Sequence, residues 1–174
     1  EETKAGVEGM KQPAAILAHS RGAVSALAAA SRRSDVSQVV LWAGVGQLDD
    51  RYPPDVRASW RARGSMEVVN SRTGQVLEIG LDALDDLEAN IVRLDPQRLV
   101  AALRVPILLI HGTEDLSVPV TEAEAVVRAS TTARLVQVEG AGHTFGAVHP
   151  FKGTTPALEK ALELTIDFIR RNLT

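Results

Sequence analysis

The feature that most constrains this chain is a serine placed between a strand-like run and a helix-like run. Residues 14–18 are apolar throughout, Ser20 follows almost at once, and residues 23–30 are mostly alanine, valine and leucine. A strand, a sharp turn and a helix in immediate succession project a serine hydroxyl clear of the backbone, at the positive end of a helix dipole. Small residues spaced around a serine are common, but this setting predicts that Ser20 is a nucleophile.

Strand and helix patterns alternate along the rest of the chain. The run at 105–110 is almost wholly apolar, as expected of a parallel strand covered on both faces. Alternation of this kind implies right-handed crossovers and a parallel sheet. The sequence therefore predicts an α/β fold with a mainly parallel sheet and helices on both faces, with strands at 13–18, 37–43, 105–110 and 133–138 and helices at 21–32, 119–130 and from 155 onward.

Two helices carry specific signals at their first turns. Thr121 and Glu124 have the spacing of a capping box at or near the start of the helix over 119–130. The pair at 155–156, threonine then proline, is a favourable opening for the last helix. The apolar positions of that helix follow a helical period and predict one buried stripe of Leu158, Leu162, Thr165, Ile166 and Ile169.

Residues 47–104 interrupt the alternation. A short polar helix is predicted at 55–63, and two strand-like stretches flanking 71–74 predict a β-hairpin. We expect residues 1–174 to form one domain, in which 47–104 is either an insertion that completes the fold or a small cap over a substrate pocket. Trp60 is a candidate wall of that pocket, and helix packing is its alternative role.

Composition narrows the classes of function. The formal net charge of −3 gives no reason to expect nucleic acid as a partner, and no run approaches the roughly 18 apolar residues of a membrane helix. With no cysteine, disulfides and thiol catalysis are excluded, and four scattered histidines lack the spacing of a metal site. We therefore expect no metal and no membrane partner, and, with no signal peptide visible, a cytoplasmic location.

Residues that could act as the acid and the base for Ser20 follow two later predicted strands. Asp115 comes just after the strand at 105–110, and His143 lies in a glycine-rich loop after the strand at 133–138. The carboxyl ends of parallel strands meet at one edge of a sheet, where active sites of such folds lie. A serine nucleophile needs a base to take its proton and a carboxylate to orient that base. The chain order Ser, Asp, His therefore predicts that Ser20, Asp115 and His143 are catalytic.

Other acids compete with Asp115 for this role. Asp115 could instead cap a turn before Val118, and Glu114 is its immediate neighbour. Asp49 and Asp50 follow the second predicted strand, which is another position where the acid can lie.

The histidines also have structural alternatives. His143 could be a structural loop residue, and His19 is expected to pack or form a hydrogen bond beneath the turn at Ser20. His111, at a strand end, is expected to be structural. His149 either lines the substrate pocket or bonds to its own loop.

Three segments carry a resemblance to a known family. Residues 18–22 match a nucleophile elbow with alanine in place of the usual first glycine, residues 111–115 an acid loop, and residues 142–145 a histidine loop. Residues 70–75 and 149–151 are similar to segments of bacterial members. Nearly the whole chain resembles the C-terminal part of the α/β-hydrolase fold, close to the dienelactone-hydrolase and prolyl-oligopeptidase-like branch. The resemblance implies a reduced α/β-hydrolase core that cleaves small carboxylic esters through an acyl-enzyme, without a cofactor.

The resemblance also implies an oxyanion hole that needs two donors. One is the backbone N–H of Arg21, the residue after the nucleophile, and the other comes from a loop after an earlier strand. Few residues precede the first predicted strand, so its edge is expected to be exposed. We expect that edge to be covered in a homodimer or by a missing N-terminal half. An amide or peptide hydrolase with the same triad, and a non-catalytic binding module, are the alternative functions.

Overall fold

The fold was obtained as a computed structural model, which describes residues 13–70 and 74–172. Its strands and helices alternate along most of the chain, as predicted. In chain order the elements are β1 (Ala14–His19), α1 (Gly22–Ala30), β2 (Val36–Trp42), α2 (Pro54–Arg63), β3 (Ser65–Val69), β4 (Val76–Gly80), α3 (Leu81–Asn90), α4 (Pro96–Ala102), β5 (Ile107–Gly112), α5 (Val120–Ala129), β6 (Ala133–Val138) and α6 (Pro156–Arg171).

Four of the strands form one parallel sheet in the order β1-β2-β5-β6. All six residues of β5 are buried, because helices cover both faces of the sheet at its centre. Helices α1, α4 and α5 pack on one face against side chains such as Val39 and Leu109. Helix α6 packs on the other face against Val40 and Leu108. The predicted α/β architecture with helices on both faces is confirmed.

Helix α6 begins as predicted and buries part of the predicted stripe: Thr165 is buried, and Leu158 and Ile169 pack against the same core. The Thr155 hydroxyl accepts a hydrogen bond from the Leu158 N–H at 3.1 Å, which caps the first turn. The buried positions are Ala161, Thr165 and Phe168, whereas Leu162 and Ile166 of the predicted stripe are 38% and 46% exposed. The Thr165 hydroxyl accepts the indole N–H of Trp42 at 2.9 Å. Ala161 and Phe168, which the predicted stripe did not include, share the buried face with Thr165, so Leu162 and Ile166 lie at its exposed margin.

The predicted capping box at Thr121 is wrong. Helix α5 is preceded by Pro119, whose φ of −58° already suits a helix, and no side chain caps this end. Thr121 therefore lies inside the first turn, and its side chain is exposed. The residue after it, Glu122, is buried and accepts the N–H groups of Gly46 and Gln47 at 2.9 and 3.1 Å. The first turn of α5 thus holds the loop that follows β2.

The segment at 47–104 contains both a largely exposed hairpin and part of the hydrophobic core. Strands β3 and β4 form the predicted antiparallel hairpin, while residues 71–73 of its turn lie outside the described residues. Helix α4 belongs to the main core, because Val100 and Leu103 pack against the sheet layer. Over residues 13–70 and 74–172, no helix has the length and apolar character needed to cross a membrane.

Candidate active site

Ser20 occupies a strained turn directly after β1. Its φ of 55° lies in the left-handed region, which costs a residue other than glycine about 1–3 kcal/mol. Backbone hydrogen bonds hold it there: its N–H donates to the Trp42 carbonyl at 2.9 Å, and its own carbonyl accepts the N–H groups of Ala23 and Val45, each at 3.1 Å. Helix α1 starts two residues later, so the predicted strand–turn–helix is present.

The structure brings Ser20, His143 and Asp115 into one hydrogen-bonded chain. The Ser20 hydroxyl lies 3.0 Å from Nε2 of His143, and Nδ1 of His143 lies 2.8 Å from Oδ2 of Asp115. A carboxylate only accepts, so Nδ1 carries the proton and Nε2 is left to accept the serine hydroxyl. This is the tautomer that a general base for Ser20 requires.

Asp115 is buried and fully engaged. Its Oδ1 accepts the N–H groups of Ser117 and Val118 at 2.8 and 2.9 Å, in addition to the bond from His143 to Oδ2. Burial opposes ionisation, but the hydrogen bonds from Val118, His143 and Ser117 together outweigh it and lower the pKa of Asp115 below its usual value. The carboxylate is therefore charged at neutral pH. It closes the turn at 115–118 and also holds the base.

The alternative acids Glu114 and Asp49 are exposed, and it is Asp115 that is bonded to His143. The Glu114 residue is exposed, although its N–H bonds to the Ala141 carbonyl at 3.0 Å. The Asp49 carboxylate is 82% exposed and pairs with Arg57 at 3.1 Å. The side chain of Asp50 lies outside the described part of the structure.

Two further histidines hold the loops that carry the acid and the base. His111 is buried, and its Nε2 donates to the Val118 carbonyl at 2.8 Å, which supports the turn around Asp115. His19 donates in the same way to the carbonyl of His143, at 2.8 Å. The sequence indicated structural roles for both, but not that each is bonded to a loop of the site.

The remaining sequence candidates lie around Arg21 and in the histidine loop. In the described structure the Arg21 N–H has no hydrogen-bond acceptor, while its guanidinium donates to the Tyr52 hydroxyl at 2.6 Å. Trp60 is 3% exposed, packs edge-on against Tyr52 at 5.5 Å and donates its indole N–H to the Ile79 carbonyl. His149 is exposed, in the segment between His143 and α6.

The similarity of this chain to known proteins indicates its fold but not its substrate. A family model described as TAP-like protein matches residues 92–152, which include Asp115 and His143 but not Ser20. No curated protein sequence matches the chain.

Solved structures resemble the chain over nearly its whole length. The esterase domain of a Rhodothermus marinus protein is 20% identical with a TM-score of 0.67, covering 100% of this chain and 69% of its own. A monoacylglycerol lipase from Paleococcus ferrophilus is 15% identical with a TM-score of 0.68, over 99% of this chain and 72% of its own. A puromycin-hydrolyzing peptidase from Mycobacterium tuberculosis is 21% identical with a TM-score of 0.66, over 99% and 24%. These likenesses show that the chain has the α/β-hydrolase fold.

Proposed function

We propose that this protein is a serine hydrolase that cleaves carboxylic esters of small substrates through an acyl-enzyme. The observation that carries the proposal is the bonded chain of Ser20, His143 and Asp115 at the carboxyl ends of three parallel strands. The three residues come from distant parts of the sequence, and their hydrogen bonds follow the order that acyl transfer needs. Esterase and lipase neighbours of the same fold support this reading.

The proposed reaction uses two proton transfers for each acyl transfer. Oγ of Ser20 attacks the ester carbonyl while its proton passes to Nε2 of His143. The resulting imidazolium is stabilised by Asp115, and it then protonates the departing alcohol, leaving the acyl group on Ser20. Water repeats the attack with His143 as base, which releases the acid and restores the serine hydroxyl.

The oxyanion formed at each step would be bound by the Arg21 N–H. A second donor normally comes from a loop after a strand that precedes the elbow strand, and no strand precedes β1 among the described residues. Removing one donor typically costs about 2.7–4 kcal/mol of transition-state stabilisation. We therefore propose that the second donor is supplied by whatever pairs with the outer edge of β1. A second copy of the chain and a preceding N-terminal half are the two candidates.

The substrate would bind between the elbow and residues 47–104. The contact between Arg21 and Tyr52 joins these two regions, and Trp60 backs Tyr52 from its buried side. Trp60 would therefore shape the pocket through Tyr52. His149 remains a proposed contact from the opposite, histidine-loop side.

A second candidate is hydrolysis of amides or peptides by the same three residues. The observation that favours it is the likeness to a peptidase that hydrolyses puromycin. Parallel assays with an ester and an aminoacyl amide of the same acyl group separate the two. Because esters are intrinsically more reactive than amides, the amide is the informative substrate. Amide turnover that Ser20→Ala abolishes supports the alternative, and ester turnover with no detectable amide turnover supports the main proposal.

The decisive experiment is intact-mass analysis after exposure to a fluorophosphonate, beside a Ser20→Ala control. A single adduct that the Ser20→Ala protein does not form would support an activated Ser20. Both proteins should show the same thermal unfolding, so that loss of the adduct reports chemistry and not misfolding. Absence of any adduct on folded protein would count against the proposal and favour a non-catalytic binding module.

A further inference from the structure

A histidine outside the proposed triad is bonded to the backbone of the proposed base. Nε2 of His19 lies 2.8 Å from the carbonyl oxygen of His143, and the two rings lie 4.7 Å apart at an angle of 50°. A carbonyl oxygen can only accept, so Nε2 of His19 carries the proton and donates it. The contact joins residues that are distant in sequence, and it therefore fixes two loops relative to each other.

The loop that carries His143 contains glycines, and other hydrogen bonds hold it at Gly140 and Ala141, next to the histidine but not at it. Gly140 adopts a φ of 68°, and Gly142 immediately precedes the histidine. Glycine leaves the backbone more freedom than any other residue. The imidazole is bonded through Nδ1 to Asp115 and through Nε2 to the Ser20 hydroxyl, and the position of the His143 backbone sets where the ring lies between these two partners. The direction of Nε2 towards Ser20 thus depends on where the backbone of His143 is held.

His19 provides that restraint from the strand that carries the nucleophile. It is the last residue of β1 and pairs with Trp42 of β2, and Ser20 follows it directly. The side chain of His19 and the hydroxyl of Ser20 therefore share one rigid strand end. The bond from His19 ties the backbone of His143 to the position of the nucleophile, while Asp115 ties its ring to the acid loop.

We propose that His19 is a positioning residue, whose Nε2–H holds the His143 backbone so that the base stays within hydrogen-bond reach of Ser20. The proposal rests on the proposed function, because the position of His143 affects a rate only if Ser20 and His143 react. A misplacement of about 1 Å in an active site can lower a rate about 100-fold. Loss of the donor should therefore lower kcat by about 10- to 100-fold and leave KM nearly unchanged, since His19 does not hold the substrate.

The test compares two substitutions of His19. His19→Gln keeps an N–H donor on a side chain of similar reach, and His19→Leu keeps apolar bulk without a donor. With p-nitrophenyl acetate, His19→Leu should lose kcat by about 10- to 100-fold and His19→Gln should recover most of it, both at nearly unchanged KM. Thr121→Ala, an exposed position whose hydroxyl caps nothing, is the matched control and should behave as wild type.

Either of two kinetic results would overturn the proposal. One is a His19→Leu protein with wild-type kcat, and the other is a His19→Gln protein as slow as His19→Leu, which would indicate ring packing without a role for the donated bond. Thermal unfolding checks that both variants fold. If His19→Leu does not fold, His19→Phe replaces it as the donor-free variant.

A structural readout separates failure of this proposal from failure of the proposed function. If the wild-type protein neither hydrolyses the ester nor forms the fluorophosphonate adduct, the proposed function fails, and nitrogen–proton correlation spectra of the imidazole groups decide the role of His19. The Nδ1 proton that His143 shares with Asp115 should be observed in wild type and His19→Gln and be lost or exchange-broadened in His19→Leu. An unchanged spectrum in His19→Leu would refute the positioning role.

Discussion

The proposed site has two parts, the residues that transfer protons and the N–H groups that would bind the oxyanion. The described residues contain all of the first part and only some of the second. On the proton-transfer side, Ser20, His143 and Asp115 are joined by bonds of 3.0 and 2.8 Å, and Asp115 accepts two further backbone N–H groups. On the oxyanion side, the Arg21 N–H has no acceptor in the described structure, and no strand precedes β1 among the described residues to carry a second donor loop. The residues of the first side follow β1, β5 and β6.

The difference follows from the position of β1 in the sheet. In the described structure β1 pairs with β2 on one side, and its other edge has no strand beside it. Leu17, near the end of β1, is 50% exposed, and Leu162 and Ile166 of α6 are also exposed. Unpaired apolar edges of this kind recruit other strands. The proton-transfer residues, which follow β1, β5 and β6, are therefore all among the described residues, whereas the oxyanion side would need a loop from beyond the outer edge of β1.

The largest expected effect tests the proton-transfer side. Asp115→Asn removes the charge that stabilises the imidazolium and favours the wrong tautomer of His143, so kcat for an ester should fall by about 10⁴-fold. Glu114→Gln changes the neighbouring, exposed carboxylate in the same way and should leave kcat within about twofold, a difference of less than about 0.5 kcal/mol. Steady-state kinetics on both proteins would make the comparison. Equal losses would show that Asp115 has no special role.

A smaller effect tests the oxyanion side. If a second copy supplies the missing donor, activity per chain should rise by about 10²- to 10³-fold as protein concentration drives association. Leu17→Lys places a charge on the exposed end of β1 and should shift that rise to higher concentration. Activity measured beside size-exclusion chromatography would show both. A monomer whose activity per chain does not depend on concentration would exclude the second copy as the donor.

The sequence predicted the parts of the fold and site that local pattern determines. The apolar run at 105–110 becomes the buried strand β5, and the turn at Ser20 lies between β1 and α1 as expected. Asp115 and His143 could be proposed because parallel strands bring their carboxyl ends to one edge. Each of these predictions needs only the order of elements and the handedness of their connections.

What the sequence did not predict depends on tertiary partners. The buried face of α6 includes Ala161 and Phe168, and the bond between Trp42 and Thr165 joins that face to the sheet, a contact that no helical period reveals. Glu122 lies in the first turn of α5, where a carboxylate usually interacts with the N–H groups and dipole of its own helix. It instead accepts hydrogen bonds from the loop after β2. The hydrogen bond from His19 to the His143 carbonyl likewise joins two segments that are far apart in the sequence. A single sequence contains no signal for such long-range pairs.

The smallest expected effect concerns the strain at the elbow, which belongs to the proton-transfer side alone. At a φ of 55°, Ser20 and alanine at the same position both carry the cost of a left-handed backbone, whereas glycine does not. Ser20→Gly should therefore be more stable than Ser20→Ala by about 1 kcal/mol, although both are expected to be inactive. Urea unfolding of the two proteins gives the difference directly. Equal stabilities, or a more stable Ser20→Ala, would mean that the bonds to Val45, Ala23 and Trp42 do not hold residue 20 in the left-handed conformation. The Ser20 hydroxyl would then reach His143 without a strained backbone.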